Sequence, residues 1–243
     1  MTEVKSIKLV KNGTITVEAS ERPELSTMGL KKLCGIGGGS SVTLIESDAK
    51  ILVDTGYDFE TNLSEENIKR NKKDLIHALK NIGLRPDDID IVFITHWHKD
   101  HFGNMKVFKN SEFVLSELTI NRFNLNLRGV KDGEDISDGV KVVYTPGHTE
   151  DHASLFIETN RLQYSEMMGS GGMITGLGKP KIVVAGDAVV SSSYYITNKI
   201  WDHNADFFSE KSAIDSINKI NEFADFIIPG HGGILKTYRN KES

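Results

Sequence analysis

Cysteine is almost absent: the chain carries one, Cys34, so no intramolecular disulfide can form. That suits a reducing compartment, and a cytoplasmic location is expected. Cys34 sits in Leu33-Cys34-Gly35-Ile36 with no histidine beside it, and reads as a small buried residue rather than a nucleophile. Residues 1–5 lack the apolar region of a secretory signal. No stretch approaches the ~18 apolar residues of a membrane span. A basic excess is also missing. The formal net charge is -5, which gives no electrostatic footprint for nucleic acid or an anionic membrane. Repeats, interdomain linkers and low-complexity tracts are lacking too, so one domain over residues 1–243 is expected.

What is present is enough apolar material for a sizeable core, 38% of 243 residues. Residues 6–10 and 14–17 flank Asn12-Gly13, the signature of a β-hairpin. Strands are expected at 42–46 and 51–53 around Ser47-Asp48-Ala49. Residues 64–82 have helical spacing, with Ile68, Leu75, Leu79 and Ile82 on one stripe, Ser64 as N-cap and Gly83 at C′. His77, among lysines, reads as a surface residue. Further strands are expected at 89–94, 113–115, 140–144, 153–159, 182–185 and 225–228. Helices are expected at 118–123 and 209–223, the latter with Ile214, Ile217 and Ile220 inward.

Residues 167–179 are rich in glycine, but a strand follows them rather than the helix a phosphate-binding loop would open. They read as a Gly-rich insertion that connects two strands. If strands 153–159 and 182–185 pair as a hairpin, this insertion leaves from the end opposite His148 and Asp187. A subunit contact, and with it a homo-oligomer, is the expectation for it.

The chemistry is concentrated in His96-Trp97-His98-Lys99-Asp100-His101, which begins where strand 89–94 ends. Imidazole nitrogen and carboxylate oxygen suit zinc. His96 and His98, two apart in extended chain, can point the same way. Asp100 and His101 follow where the chain turns. Three later residues share one design: His148 in Thr145-Pro146-Gly147-His148, Asp187 in Ala185-Gly186-Asp187, and His231 in Pro229-Gly230-His231. Each follows an apolar strand and sits beside a glycine, which permits close backbone approach.

These motifs in this order, with Leu52-Val53-Asp54-Thr55-Gly56 before them, resemble the metallo-β-lactamase superfamily from about Gly39 to Gly233. The resemblance implies an α/β fold, a four-layer αββα sandwich of two mixed β-sheets with flanking helices. It implies a metal-dependent hydrolase that uses a hydroxide held by a dinuclear metal site. Two zinc ions are expected, with iron or manganese as alternatives. By this resemblance His96, His98 and His148 hold one metal, Asp100, His101 and His231 the other, and Asp187 bridges. Asp100 and Asp187 are the expected catalytic carboxylates, and Asp54 is a buttress rather than a ligand. His152 reads as structural and His203 as a loop residue. Tyr194 and Tyr195 are candidates for hydrogen bonds to an oxyanion.

Within the superfamily, several branches lack counterparts here. A flavodoxin domain and a helical domain after the last strand mark other branches and are not expected here, and no cysteine stands near Asp187. The expected substrate is a small ester, lactone or thioester. Residues 100–108 and 227–232 also resemble members with assigned nuclease activity, so a phosphodiesterase or ribonuclease stays open, although the acidic charge disfavours nucleic acid. A mononuclear iron persulfide dioxygenase and a non-catalytic metal-binding scaffold are the remaining alternatives.

Overall fold

The computed structural model describes residues 3–14, 38–58, 64–165, 171–175 and 178–237. Cys34 lies outside them. Strands β1 (Ser6–Lys11), β2 (Val42–Glu46), β3 (Lys50–Val53), β4 (Ile91–Phe93), β5 (Glu112–Ser116) and β6 (Arg128–Val130) run in that order across one sheet. The second sheet contains β7 (Asp135–Ser137), β8 (Val140–Tyr144) and β9 (Ala153–Glu158). The chain then returns to the first sheet, where β10 (Leu162–Ser165) and β11 (Gly171–Ile174) extend it beyond β1. It crosses back as β12 (Lys181–Gly186), and β13 (Phe226–Pro229) and β14 (Leu235–Lys236) complete the second sheet. Both sheets are mixed. β3 and β4 are parallel, as are β12 and β13, while β9 and β12 are antiparallel.

Alternation along the strands builds the layers. On β3, Ile51 and Val53 join the cluster between the sheets, whereas Leu52 faces Leu75 and Leu79 of α1 (Glu65–Asn81) on the outer face. On β12, Ile182 and Val184 enter the central cluster, while Val183 and Ala185 meet Ile220 of the helix over residues 210–223. A helix therefore lies outside each sheet, and the arrangement is the expected αββα sandwich. Each of these buried aliphatic side chains contributes about 1.5–3 kcal/mol relative to exposure.

The helices start where serine can cap them. Ser64 Oγ accepts from Asn67 N at 3.2 Å ahead of α1, and Ser116 Oγ accepts from Thr119 N at 3.1 Å ahead of the helix Glu117–Phe123. α1 ends at Asn81, is capped by Ile82 and turns through Gly83 at φ +78°. Its inward stripe differs from the expected one. Leu75 and Leu79 are buried, but Ile68 is 36% exposed, and Asn67 and Asn71 take the inward positions. They do so because Asn71 Oδ1 and Nδ2 hold the Asp58 backbone at the end of α1 nearest the site. On the 210–223 helix, Ile214 faces solvent, and Ala213, Ser216 and Ile220 point inward. The small side chains are required there because Gly147 packs on Ala213 and Ser216 Oγ bonds Pro146 O at 2.7 Å.

Two other expectations change. The second arm of the hairpin expected around Asn12-Gly13 begins at Thr14, and residues 15–17 lie outside the described set. The edges of β1 are taken by β2 and, in parallel, by β10. The Gly-rich insertion is not merely a loop: residues 171–174 form β11, paired with β10 in the first sheet. Residues 166–170 and 176–177 are outside the described set. The short strands β6, β7, β10, β11 and β14 carry too few apolar positions to show in the sequence.

Candidate metal centre

The candidate ligands gather at one edge of the sandwich, on loops and short helical turns that follow the strands. Because β3 and β4 are parallel, Asp54 after β3 and His96 after β4 leave the first sheet at the same end. Because β12 and β13 are parallel, Asp187 and His231 leave the second sheet together. The turn between β8 and β9 returns to that edge with His148. The short helix α2 (Lys99–Phe102) carries Asp100 and His101 directly after His98, its N-cap residue.

Seven side chains converge there, all buried: His96, His98, Asp100, His101, His148, Asp187 and His231. Their donor atoms form groups lying within 4.8 Å of one another: His96, His98 and His148; His96, His101 and Asp187; Asp100, His101 and His231. Asp187 spans the cluster, with Oδ2 3.3 Å from His148 Nε2 and Oδ1 3.3 Å from His101 Nε2 and 3.5 Å from His231 Nε2. Asp100 Oδ2 lies 3.3 Å from His231 Nε2 and 3.7 Å from His101 Nε2.

The outward ring nitrogens explain which nitrogen faces the cluster. His101 Nδ1 donates to Asp54 Oδ2 at 2.7 Å, and His231 Nδ1 donates to Thr14 O at 2.8 Å. Thr95 Oγ1 donates to Asp54, so at 3.1 Å from His96 Nδ1 it accepts from that ring. His98 Nε2 donates to Asp206 Oδ1 at 3.0 Å. With those protons outward, each inward nitrogen presents a lone pair. His98 Nδ1 is then 2.8 Å from His96 Nε2 and 3.0 Å from His148 Nε2. The His96 and His98 lone pairs, that close, repel unless a cation sits between them, and His148 Nδ1, buried with no hydrogen-bond partner, leaves His148 Nε2 available to the same ion. Among the described residues, both oxygens of Asp100, His101 Nε2, Asp187 Oδ1 and His231 Nε2 are buried with no hydrogen-bond partner. Such groups are costly to bury unpaired. The donor set therefore fits metal ions, and the imidazole–carboxylate mix is suited to zinc, iron or manganese.

The electrostatics agree. Burial pushes the Asp187 carboxyl up, but His231, His101 and His148 outweigh it and hold it well below the usual range. Burial opposes charge on His231, yet Asp187 and Asp100 bring it up to about 10, so that its Nε2 takes up a proton wherever a cation does not occupy that position. The paired carboxylates thus demand positive charge at this point.

Asp54 takes the position expected of a buttress. Its φ is +59°, it is buried, and its Oδ1 accepts from Thr95 N at 2.9 Å. His152 stays out of the cluster. Its Nδ1 lies 2.9 Å from Thr145 Oγ1, and burial pushes the ring down to about 3. His203 pairs with Asp202 at 3.3 Å on the surface, and His77 is exposed. Tyr195 is not available to an oxyanion, because its hydroxyl donates to Asn221 Oδ1 at 2.6 Å on the 210–223 helix. Tyr194 lines a pocket with His148, Asp187, Lys199 and Trp201. Asp206 is the residue that sequence reading missed: it lies in a loop with no motif, and its role follows only from where that loop is folded.

Residues 35–165 match the profile of the metallo-beta-lactamase superfamily. The chain belongs to the metallo-β-lactamase superfamily. It is a metal-dependent hydrolase of that superfamily. Metallo-beta-lactamase domain-containing protein 1 of Xenopus laevis is 29% identical over 199 residues, 79% of this chain and 70% of that protein. An N-acyl homoserine lactonase of Bacillus thuringiensis is 30% identical over 145 residues, which span 49% of this chain and 58% of the lactonase. The crystal structure of a probable metal-dependent hydrolase from Staphylococcus aureus has a similar fold, with a TM-score of 0.62 at 16% identity, covering 99% of this chain and 100% of that one. Among the described residues, no helix of this superfamily member is long and apolar enough to cross a membrane.

Proposed function

We propose that the chain hydrolyses a small ester, lactone or thioester at a site that holds two metal ions. The observation that carries this reading is the convergence of the seven buried side chains, several of whose donor atoms have no hydrogen-bond partner. His96, His98 and His148 would hold one ion, Asp100, His101 and His231 the other, and Asp187 would bridge. When bound, such ions polarise a substrate oxygen and lower the pKa of water toward about 7. Zinc is the metal we favour, because histidine and carboxylate are its usual ligands in hydrolytic sites, with iron or manganese as alternatives.

The residues divide the remaining work. Asp100, buried with no hydrogen-bond partner for either oxygen among the described residues, would take a proton from the attacking water and pass it to the leaving group. Asp187, within reach of imidazoles on both sides, fixes the spacing of the two halves of the site. Asp54 and Thr95 orient His101 and His96. Burial of every ligand excludes bulk water, which strengthens these interactions. The similarity to an N-acyl homoserine lactonase favours an acyl substrate.

Turnover of the zinc-loaded protein should be measured on a lactone, a thioester and a phosphodiester, with Asp187→Ala as blank. Carboxyl-ester cleavage that disappears in the blank is the expected result. Phosphodiester cleavage alone would replace this reading with a nuclease one. Oxygen consumption by the iron-loaded protein would replace it with an oxygenase one.

A further inference from the structure

Beyond the ligand cluster, one polar network joins elements that are far apart in sequence. Asp206 lies in the loop before the helix Glu210–Phe223. Its Oδ1 accepts from His98 Nε2 and from Asn204 Nδ2, each at 3.0 Å. Its Oδ2 accepts from Arg122 at 3.3 Å. Arg122, on the helix Glu117–Phe123, donates at 2.6 Å to Asp151 in the turn that carries His148. Asp151 is also bound by Thr119 Oγ1 at 2.7 Å. Asn204 uses the same amide nitrogen to reach the backbone carbonyl of His148 at 2.7 Å. The Asn204–Asp206 pair thus touches His98 through its ring and His148 through its backbone. Neither residue contacts His101 or His231 in any described hydrogen bond.

A surface ion pair would have no reason to aim one carboxylate oxygen at a buried ring nitrogen. The His98 ring is 6% exposed, and Asp206 is the acceptor its Nε2 finds. The second Asp206 oxygen is free to take the guanidinium, so both are used. We propose that Asp206 is a positioning residue for the His96–His98–His148 half of the site, seated by Asn204 and Arg122. It fixes the His98 tautomer that turns Nδ1 inward, while Asn204 holds His148 at the same place. The inference rests on the metal-binding reading above and goes beyond it by making one half of the site depend on a loop with no motif.

Metal binding provides the test, since removing an outer carboxylate from a ligating histidine typically costs about 10–100-fold in affinity. Zinc affinity is measured by chelator competition, and the visible absorption of the cobalt-loaded protein reports the ligand field. Asp206→Ala is expected to weaken one zinc equivalent by about 10–100-fold and leave the other unchanged. Asp206→Asn keeps an oxygen that can accept from Nε2–H, so it should fall between Asp206→Ala and the wild type. Arg122→Ala should show a smaller loss of the same equivalent. Asp202→Ala, on the same loop and paired with His203, should change nothing.

Unaltered affinity and cobalt spectrum in Asp206→Ala would overturn the proposal. So would equal losses in Asp206→Ala and Asp202→Ala, which would mark loop disruption instead. Melting of the metal-free proteins guards against misfolding. If Asp206→Ala melts lower, the isosteric Asp206→Asn decides, and wild-type metal affinity there with a melted-out Ala variant overturns the idea. A wild-type chain that binds no metal would remove the proposed function as well, whereas a wild type that binds two and an Asp206→Ala variant that binds two equally well would remove only this inference.

Discussion

Asp54 Oδ2 lies 2.7 Å from His101 Nδ1, and both side chains are buried. The aspartate occupies φ +59°, a conformation that asparagine and aspartate tolerate better than other residues with a side chain. Asp54→Asn should therefore fold, but its amide can no longer reward both Thr95 and His101 as an acceptor. In the proposed site, affinity for a metal held by His101 should drop about 10–100-fold. Zinc competition titration reads the effect, and an unchanged affinity would remove the buttress role.

Removing metal should cost both activity and stability. Chelation is expected to abolish turnover, and added zinc to restore it. Binding at ligand concentrations about 100 times Kd adds about 2.7 kcal/mol to folding. Thermal melts with and without chelator would show this as a lower melting temperature for the stripped protein.

Gly230 and Gly233 give a matched pair on one loop. A Cβ at Gly230 would overlap Asp187 Oδ1, while one at Gly233 would meet nothing within 4 Å. Gly230→Ala should displace Asp187 and reduce kcat/KM by about 100-fold or more, the scale of a misplacement near 1 Å. Gly233→Ala should be close to wild type. Equal behaviour of the two variants would show that the close approach at Gly230 has no consequence.

Stability should discriminate between positions on α1 that look alike in sequence. Leu79 is fully buried and Ile68 is 36% exposed. Leu79→Ala should cost about 2–5 kcal/mol, and Ile68→Ala much less. Urea unfolding at unchanged m-value is the measurement.

Acid should act through Asp48 at the β2–β3 turn. Hydrogen bonds from Ser137, Ser47 and the Asp138 backbone hold its carboxyl well below its ordinary value of 3.8. A depressed folded-state pKa contributes stability that is present above 3.8 and is lost as pH falls below it. The gap in unfolding midpoint between wild type and Asp48→Ala should shrink between pH 5 and pH 2, and a constant gap would contradict the assignment.

The cluster of candidate ligands was open to sequence reading because each member sits beside a mark that survives in one dimension. His96 to His101 are contiguous, and His148, Asp187 and His231 each follow glycine after an apolar strand. The four-layer fold became legible through those same motifs rather than through periodicity. Propensity misplaced Ile68 and Ile214, because the helix faces are set by what they must hold: the Asp58 backbone for α1 and the Gly147 turn for the 210–223 helix. Asp206 and Arg122 left no trace, since a carboxylate and a guanidinium in polar segments look like solvated surface until the fold brings them to His98.

The position of β1 has a consequence for how this chain is made. Ile7 pairs with Ile45 on one side and with Leu162 on the other. During synthesis from the N-terminus, the β2 side can close early, but the β10 side must wait until most of the chain has emerged. An unpaired edge is a template for pairing with another chain, and long-range pairing is slow. The nascent protein is therefore most exposed to aggregation between these two events, and slowing translation before Leu162 should lower its soluble yield.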